Sequence, residues 1–386
     1  MALLNYFDRQ MLATMKLSMQ ADIASLHSAE KFGQLMAIFL WVYAGFSPFT
    51  GWVADHLNRK WLIVASLGVW SAVTLAMGYA HDFEQLYLLR GAMGISEAVY
   101  IPAALALISD YHQGGTRSLA VGIHATGIYM GQALGGVGGW IAQDVSWRAA
   151  FSWCGLVGVA YCLVLALLLK EKRGAALERD DRAERNIPMH WVGFAILLIC
   201  FALPSLAGWA VKNWLPTLLE DRFGLAQKSA GLWATLVTAS ASLLGVVGGG
   251  RLADMWARRN SRGRTRVAAL GLFLLAPAAI GLGLAPGLAL TLACAALFGL
   301  GFGMFDVNNM PILCQLAPPR FRATGYGIMN CFGIAAGAYL TPLLGHLKDA
   351  GVPLSYCFAV CSVPAVLAGG LMVGLGSMLH KERRSG

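Results

Sequence analysis

The sequence predicts an all-α membrane protein whose twelve transmembrane helices form two pseudo-symmetric six-helix bundles, and three observations carry that prediction. Of its 386 residues 57% are hydrophobic and 13% charged, at a mean hydropathy of +0.60, whereas soluble domains carry about a quarter charged residues. Apolar runs of roughly 20 residues, the length that crosses ~30 Å of hydrocarbon as a helix, recur along the whole chain. Signatures of the first half return in the second at a nearly constant offset. Such a composition excludes a soluble enzyme, a nucleic-acid-binding domain and a secreted disulfide scaffold. The net charge of +9 then bears first on topology.

Charged or Pro/Gly-marked turns place the spans near 1–20, 32–54, 61–80, 86–110, 118–142, 149–169, 191–218, 229–253, 267–286, 288–315, 323–346 and 354–379. The longest polar stretch, Lys170 to Asn186, separates an N-terminal bundle (1–169) from a C-terminal one (191–379), with a cytoplasmic linker at 170–190 and a tail at 380–386. With the N-terminus inside, the inner loops and tail hold 20 Lys and Arg against five outside (Lys31, Arg148, Arg222, Lys228 and Lys348). Positive charge resists translocation, so both termini are expected in the cytoplasm of a bacterial-type inner membrane. The first apolar stretch carries Asp8 and Arg9, which the core of a cleaved signal peptide would not tolerate. All eight cysteines lie in apolar segments with no metal or CxxC spacing and read as small core residues.

The repeat is visible residue by residue. Gly51, Asp55, Arg59 and Lys60 after the second span match Gly250, Asp254, Arg258 and Arg259 after the eighth, each offset by 199. Gly94, Glu97 and Pro102 match Gly303, Asp306 and Pro311 at 209, and Arg117 and Gly122 match Arg322 and Gly327 at 205. Two parallel six-helix repeats are the pattern of rocker-type secondary transporters.

At these motifs the chain resembles the major facilitator superfamily, in its G-x-x-x-D-x-x-x-R-[KR] loop and the copy of it, the R-G-x-x-G-x-x-E fourth helix (Arg90 to Glu97) and the glycine-dense fifth helix. NYFDRQ at Asn5 to Gln10, RGAMGISEA at Arg90 to Ala98 and NWLPTLL at Asn213 to Leu219 are most similar to organic-anion/proton symporters and sugar-phosphate permeases. Spinster-type lysolipid transporters share the Asp-Arg pair and the R-x6-E pattern. Only seven residues precede Asp8, where the family has two to three turns of helix. That departure leaves either an internal start or a short first helix.

Charge inside a membrane span marks a functional candidate. Asp8 and Arg9 are adjacent, point about 100° apart on a helix and cannot both face one partner. Glu97 lies two turns after Arg90 on nearly the same face. A carboxyl desolvated in a helix bundle holds its proton more tightly and a nearby guanidinium loosens it, so an arginine moving between partners loads and releases a proton. The resemblance implies proton coupling at Asp8 and Glu97, and anion binding or control of those acids by Arg9 and Arg90. A structural ion pair, or an anchoring Arg90 at a helix end, fits the sequence as well.

Lys212, 203 residues after Arg9, is expected to face the cavity from the opposite half, as the basic residues of organophosphate antiporters do, or else to snorkel to the periplasmic interface. Asp306, Asn308 and Asn309 ahead of Pro311 predict an unwound, hydrated stretch that either binds substrate hydroxyls or satisfies freed carbonyls. Tyr43, His124, Tyr129, Trp214 and Asn330 are weaker lining candidates, and His124 alone is no metal site. The resemblance implies gating by the paired loops, the first weakened by His56 and Asn58. No cofactor, metal, nucleic-acid or catalytic motif stands out. The expectation is a monomer in the bilayer that carries a small anionic solute with protons. Lysolipid or drug export is the rival transport reading, and a sugar-phosphate sensor, argued against by the short loops, the rival outside transport.

Overall fold

The computed structural model describes residues 1–112, 116–171, 189–260 and 262–385. Seventeen helices follow one another, with no strand among the described residues, and group into twelve rods. The first half contains α1 (Ala2–Met11) with α2 (Lys16–Asp22), α3 (Ala29–His56), α4 (Arg59–Met77), α5 (Phe83–Ala98) with α6 (Tyr100–Tyr111), α7 (Arg117–Leu134) with α8 (Gly136–Asp144), and α9 (Trp147–Leu168). The second contains α10 (Trp191–Phe223), α11 (Gln227–Arg259), α12 (Gly263–Leu284), α13 (Leu288–Asp306) with α14 (Asn309–Leu316), α15 (Pro319–Asp349), and α16 (Leu354–Val360) with α17 (Ser362–Ser385). Among the described residues ten helical stretches are long and apolar enough to cross a bilayer. The α1–α2 and α7–α8 rods, broken and more polar, complete the twelve.

Local chemistry sets the ends and the breaks. Ser28, Asn58, Asp82 and Ser146 cap the N-termini of α3, α4, α5 and α9 through side-chain oxygens that accept backbone N–H groups. Gly224 closes α10 at φ +62°, a left-handed position that suits glycine. A proline clashes with the carbonyl four residues back, and the chain gives way near that position before Pro311, before Pro364 and before Pro102. The sequence reading expected only the first of these breaks. The α17 helix runs on through the basic tail to Ser385, past the boundary at 379. Most of the linker, residues 172–188, lies outside the described residues.

The halves meet along two seams, α3 against α15 and α7–α8 against α11. Both are tightest at one end of the bundle. A Cβ added to Gly33 would lie 2.8 Å from the Thr341 oxygen, and one added to Gly136 would lie 2.6 Å from the Gly231 oxygen, so only glycine permits these approaches. At the same end Asp349 accepts hydrogen bonds from the Ser28 hydroxyl (2.7 Å) and the N–H groups of Ala29 and Glu30 (2.9 Å each). Gln227 exchanges hydrogen bonds with Ser18, and Lys228 pairs with Asp144 at 3.0 Å. Toward the other end Gly122 and Gly327, equivalent in the repeat, face open space. The bundle is closed at the end carrying the 23–28 and 350–353 connections and opens from its middle toward the other.

Candidate functional site

The first helix carries its charges into the N-terminal half. Asp8 is 1% exposed and accepts a hydrogen bond from the Thr74 hydroxyl on α4. Arg9, one residue on, turns the other way and pairs through Nε with Glu97 of α5. The two neighbours thus have separate partners, as helix geometry requires. Aromatic rings enclose the guanidinium, with its carbon 4.6 Å from the Tyr43 centroid, 4.8 Å from Tyr6 and 5.0 Å from Phe39. Cation–π attraction and the ion pair together hold a charge that burial alone would expel.

Arg90 is buried rather than anchored at an interface. Its guanidinium lies 4.9 Å from the Phe39 ring and donates to the Met93 sulfur at 3.3 Å, with no ion pair within 4 Å among the described residues. The acid two turns along its own helix belongs to Arg9 instead. Asp8, Arg9, Arg90 and Glu97 therefore form one cluster of two acids and two bases in which a single close pair is made.

Across the interface, Lys212 sits between Pro204 and Pro216 on α10 and does not snorkel. Its Nζ lies 5.1 Å from the Trp209 ring and 5.6 Å from Phe302, and the side chain lines a small cavity between the halves, about 30 Å³. Gln10 of α1 donates to the Lys212 carbonyl at 2.7 Å and lines the same cavity. Asp306 ends α13 and accepts from the Tyr129 hydroxyl of α7 at 3.3 Å, a second bridge between halves. Asn308 turns back to the Met304 carbonyl at 2.9 Å, so it serves the helix break. Asn309 is buried at the start of α14.

The weaker candidates divide. Tyr43 stands over Arg9, whereas His124 is held by the Tyr100 hydroxyl at 3.0 Å. Trp214 is fully buried and bonds the Thr341 carbonyl at the closed end. Asn330 is half-buried on α15. Lys16 was not singled out from sequence, yet it is 4% exposed, with Nζ 5.4 Å from the Trp214 ring and 5.9 Å from Phe32. Its charge within the first apolar span was the available signal.

The paired loops lie at the open end. Arg59 pairs with Asp110 of α6, and the N–H groups of Arg59 and Lys60 donate to the Glu171 carboxylate, an anion at the α4 N-terminus. Gly51 and Asp55 fall in the last turns of α3, and the Asp55 side chain lies outside the described residues. In the second loop Gly250 packs near Val307, while Asp254 pairs at 2.8 Å with Arg264 in the first turn of α12 and Arg258 and Arg259 are exposed.

Known proteins are similar to this chain over most or nearly all of its length. Protein spinster homolog 1 of Mus musculus is 26% identical over 99% of this chain and 80% of its own length. The 3-(3-hydroxy-phenyl)propionate transporter of Escherichia coli K12 is 27% identical over 87% of this chain and 81% of that protein. A solved structure of a bacterial homolog to the human lysosomal transporter Spinster, inward-facing and occupied, superimposes with a TM-score of 0.73 over 99% of this chain and 94% of that one, at 20% identity. These relatives share a fold with the helices described above. The pattern of the Major Facilitator Superfamily matches residues 1–342 and again 197–384, so the chain is a multi-pass membrane protein that belongs to that superfamily.

Proposed function

We propose that the protein is a secondary transporter that carries a small organic anion with protons across a cytoplasmic membrane by alternating access. The observation that carries the reading is the buried cluster of Asp8, Arg9, Arg90 and Glu97 in one half, with Lys212 lining a cavity in the other beside Gln10. Membrane burial is costly for charges that do nothing. The 20-to-5 distribution of basic residues puts the closed end outside and both termini in the cytoplasm, so this conformation opens inward.

In that state Arg9 is held by Glu97 and Glu97 carries no proton. In the outward-open state a proton on Glu97 releases Arg9, whose guanidinium binds the anion. Asp8, bonded to the Thr74 hydroxyl, takes a second proton and leaves the unpaired Arg90 charge to the anion. After the switch inward, proton loss restores the Arg9–Glu97 pair and expels the anion. The loops at Gly51 to Lys60 and Gly250 to Arg259 close the cytoplasmic end in the opposite state.

Purified protein in liposomes tests the reading through proton-gradient-driven uptake of hexonates, hexuronates and sugar phosphates, with a lysolipid as the contrasting solute. Uptake of one hydrophilic anion, lost in Asp8→Asn while counterflow persists, supports it. Loss of both activities together counts against coupling at Asp8. The match to the spinster homologue over 99% of the chain favours a second reading, movement of an amphipathic lipid. That reading predicts a response to the lysolipid alone, indifferent to Lys212→Met.

A further inference from the structure

Buried polar atoms that reach no protein partner gather at one place in the N-terminal half. Among the described residues they are both polar atoms of the Asn5 amide, one oxygen each of Asp8 and Glu97, Nη2 of Arg9, Nε of Arg90 and the Ser71 hydroxyl. Asn5, Asp8, Ser71 and Glu97 are at most 1% exposed, so bulk solvent does not serve them. A helical residue three before Asp8 and four before Arg9 projects between the directions of those two side chains. Asn5 therefore stands between the Asp8–Thr74 contact and the Arg9–Glu97 pair. Its amide approaches the Glu97 carboxylate and completes no hydrogen bond there.

Polar atoms sealed in a protein without partners are penalised, and interiors satisfy them with bound water where two to four donors and acceptors converge. The mixture here is of that kind, with amide, hydroxyl and guanidinium donors beside carboxylate oxygens. The α9 helix closes the far side, since a side chain on Gly158 would collide with the Ser71 hydroxyl. The other titratable groups turned toward the cluster are Tyr6, Tyr43 and, on α9, Cys154, while α4 brings hydroxyls. Unlike its charged neighbours, Asn5 offers a donor and an acceptor at once. It can hold a water beside an acid that is charged or neutral.

Resting on the transport reading above, we infer that Asn5 holds bound water between the Asp8 and Glu97 carboxylates and is a positioning residue for the proton that passes between them. The O–H bond of protonated Glu97 breaks toward the water, a different O–H bond of that water breaks toward Asp8, and the water ends unchanged. Asp8, enclosed against α4, is thus loaded through Glu97, whose partner Arg9 keeps 12% exposure. The two acids then titrate as one coupled pair.

The test uses the purified full chain. Asn5→Leu keeps nearly the size of the side chain and removes both polar atoms, whereas Asn5→Ser keeps a donor and an acceptor and leaves room for a further water. Were packing its role, leucine would be the gentler change; the water site predicts the reverse. Infrared difference spectra between acid and alkaline buffer should show a water O–H band that shifts in ¹⁸O-labelled water, present in the parent and Asn5→Ser and missing in Asn5→Leu. Proton uptake after a pH jump, read by an indicator dye, should slow about tenfold or more in Asn5→Leu and stay near the parent rate in Asn5→Ser. Carboxyl bands assigned through Asp8→Asn and Glu97→Gln should titrate together in the parent and apart in Asn5→Leu. Asn5→Val carries the same expectations where the leucine variant does not fold. A parent without the isotope-sensitive band, an apolar variant with the parent's band and rate, or a serine variant slower than leucine would overturn the inference. A water band that depends on Asn5, in a protein that moves none of the anions of the liposome assay on a proton gradient, would sink the transport reading and leave the water site standing.

Discussion

In α5–α6 the helix breaks just before Pro102 and sets Glu97 against Arg9, while in α13–α14 the equivalent break before Pro311 sets Asp306 against the Tyr129 hydroxyl, with Lys212 in no ion pair. The backbone device is the same and the chemistry is not. In the N-terminal half two acids and two bases neutralise one another beneath aromatic rings. In the C-terminal half an ammonium lines a small cavity with the amides of Gln10 and Gln132 and the hydroxyls of Thr235, Thr238 and Ser242. The repeat specifies where a span gives way, because proline acts alike in both copies. The residues beside each break decide whether that place stores charge internally or offers it to a solute.

The largest expected effect breaks the internal half of this contrast. Arg9→Ala leaves the Glu97 carboxylate buried without its partner, a change that costs about 3–5 kcal/mol in comparable buried pairs. The melting temperature in detergent should fall markedly and uptake should vanish. Adding Glu97→Gln should restore most of the melting temperature without restoring proton coupling. A single variant as stable as the parent would show that the pair does not hold the cluster together.

The next effect sharpens the other half. Lys212→Met removes a cation that has no close carboxylate, so stability should hold or rise slightly, since an unpaired buried charge is itself unfavourable. The KM for the anion should rise about tenfold, near 1.4 kcal/mol. A fall in melting temperature with unchanged KM would make Lys212 a structural partner of Asp306 and erase the contrast.

The charged positions of the site were legible in the sequence because charge is rare inside apolar spans. Asp8, Arg9, Arg90, Glu97 and Lys212 all stood out on that ground, and the twelve spans followed from hydropathy and Pro/Gly punctuation. Pairing was not legible. Arg9 reaches an acid 88 residues away, and helix periodicity within α5 pointed instead to Arg90. Asp254 likewise pairs with Arg264, because the turn before α12 folds its first residues back beside α11. Proline alone did not make the break before Pro102 readable, since Pro48, Pro204, Pro216, Pro277 and Pro342 lie inside unbroken helices. Lys16 carried the same signal as Arg9 but lay near the end of its span, where a lysine ordinarily snorkels.

The closed end gives two smaller tests that rank its contacts. Gly136→Leu should prise α8 from α11, where the Gly231 oxygen leaves no room for a side chain, and should shift the population toward the state open at that end. Accessibility of a single introduced cysteine at the open end, read by alkylation rate, follows that shift. An unchanged rate would mean that the seam yields without moving the halves.

The smallest effects separate two contacts that look alike across the same seam. Asp349 accepts three hydrogen bonds at the N-terminus of α3, the geometry of a capping carboxylate supplied from the other half. Loss of a cap costs about 1 kcal/mol, so Asp349→Ala should change the alkylation rate roughly fivefold by that measure. His346 contacts Glu30 at 2.8 Å, but the two side chains are 62% and 39% exposed. Water and salt screen such a pair, whose contribution falls within about 0–1 kcal/mol, and Glu30→Gln should move the rate less than about twofold. The order matters more than either value, because a screened pair can orient the seam while a carboxylate on a helix terminus locks it. If Glu30→Gln opened the closed end as far as Asp349→Ala, the lock would lie in the ion pair and not in the helix terminus.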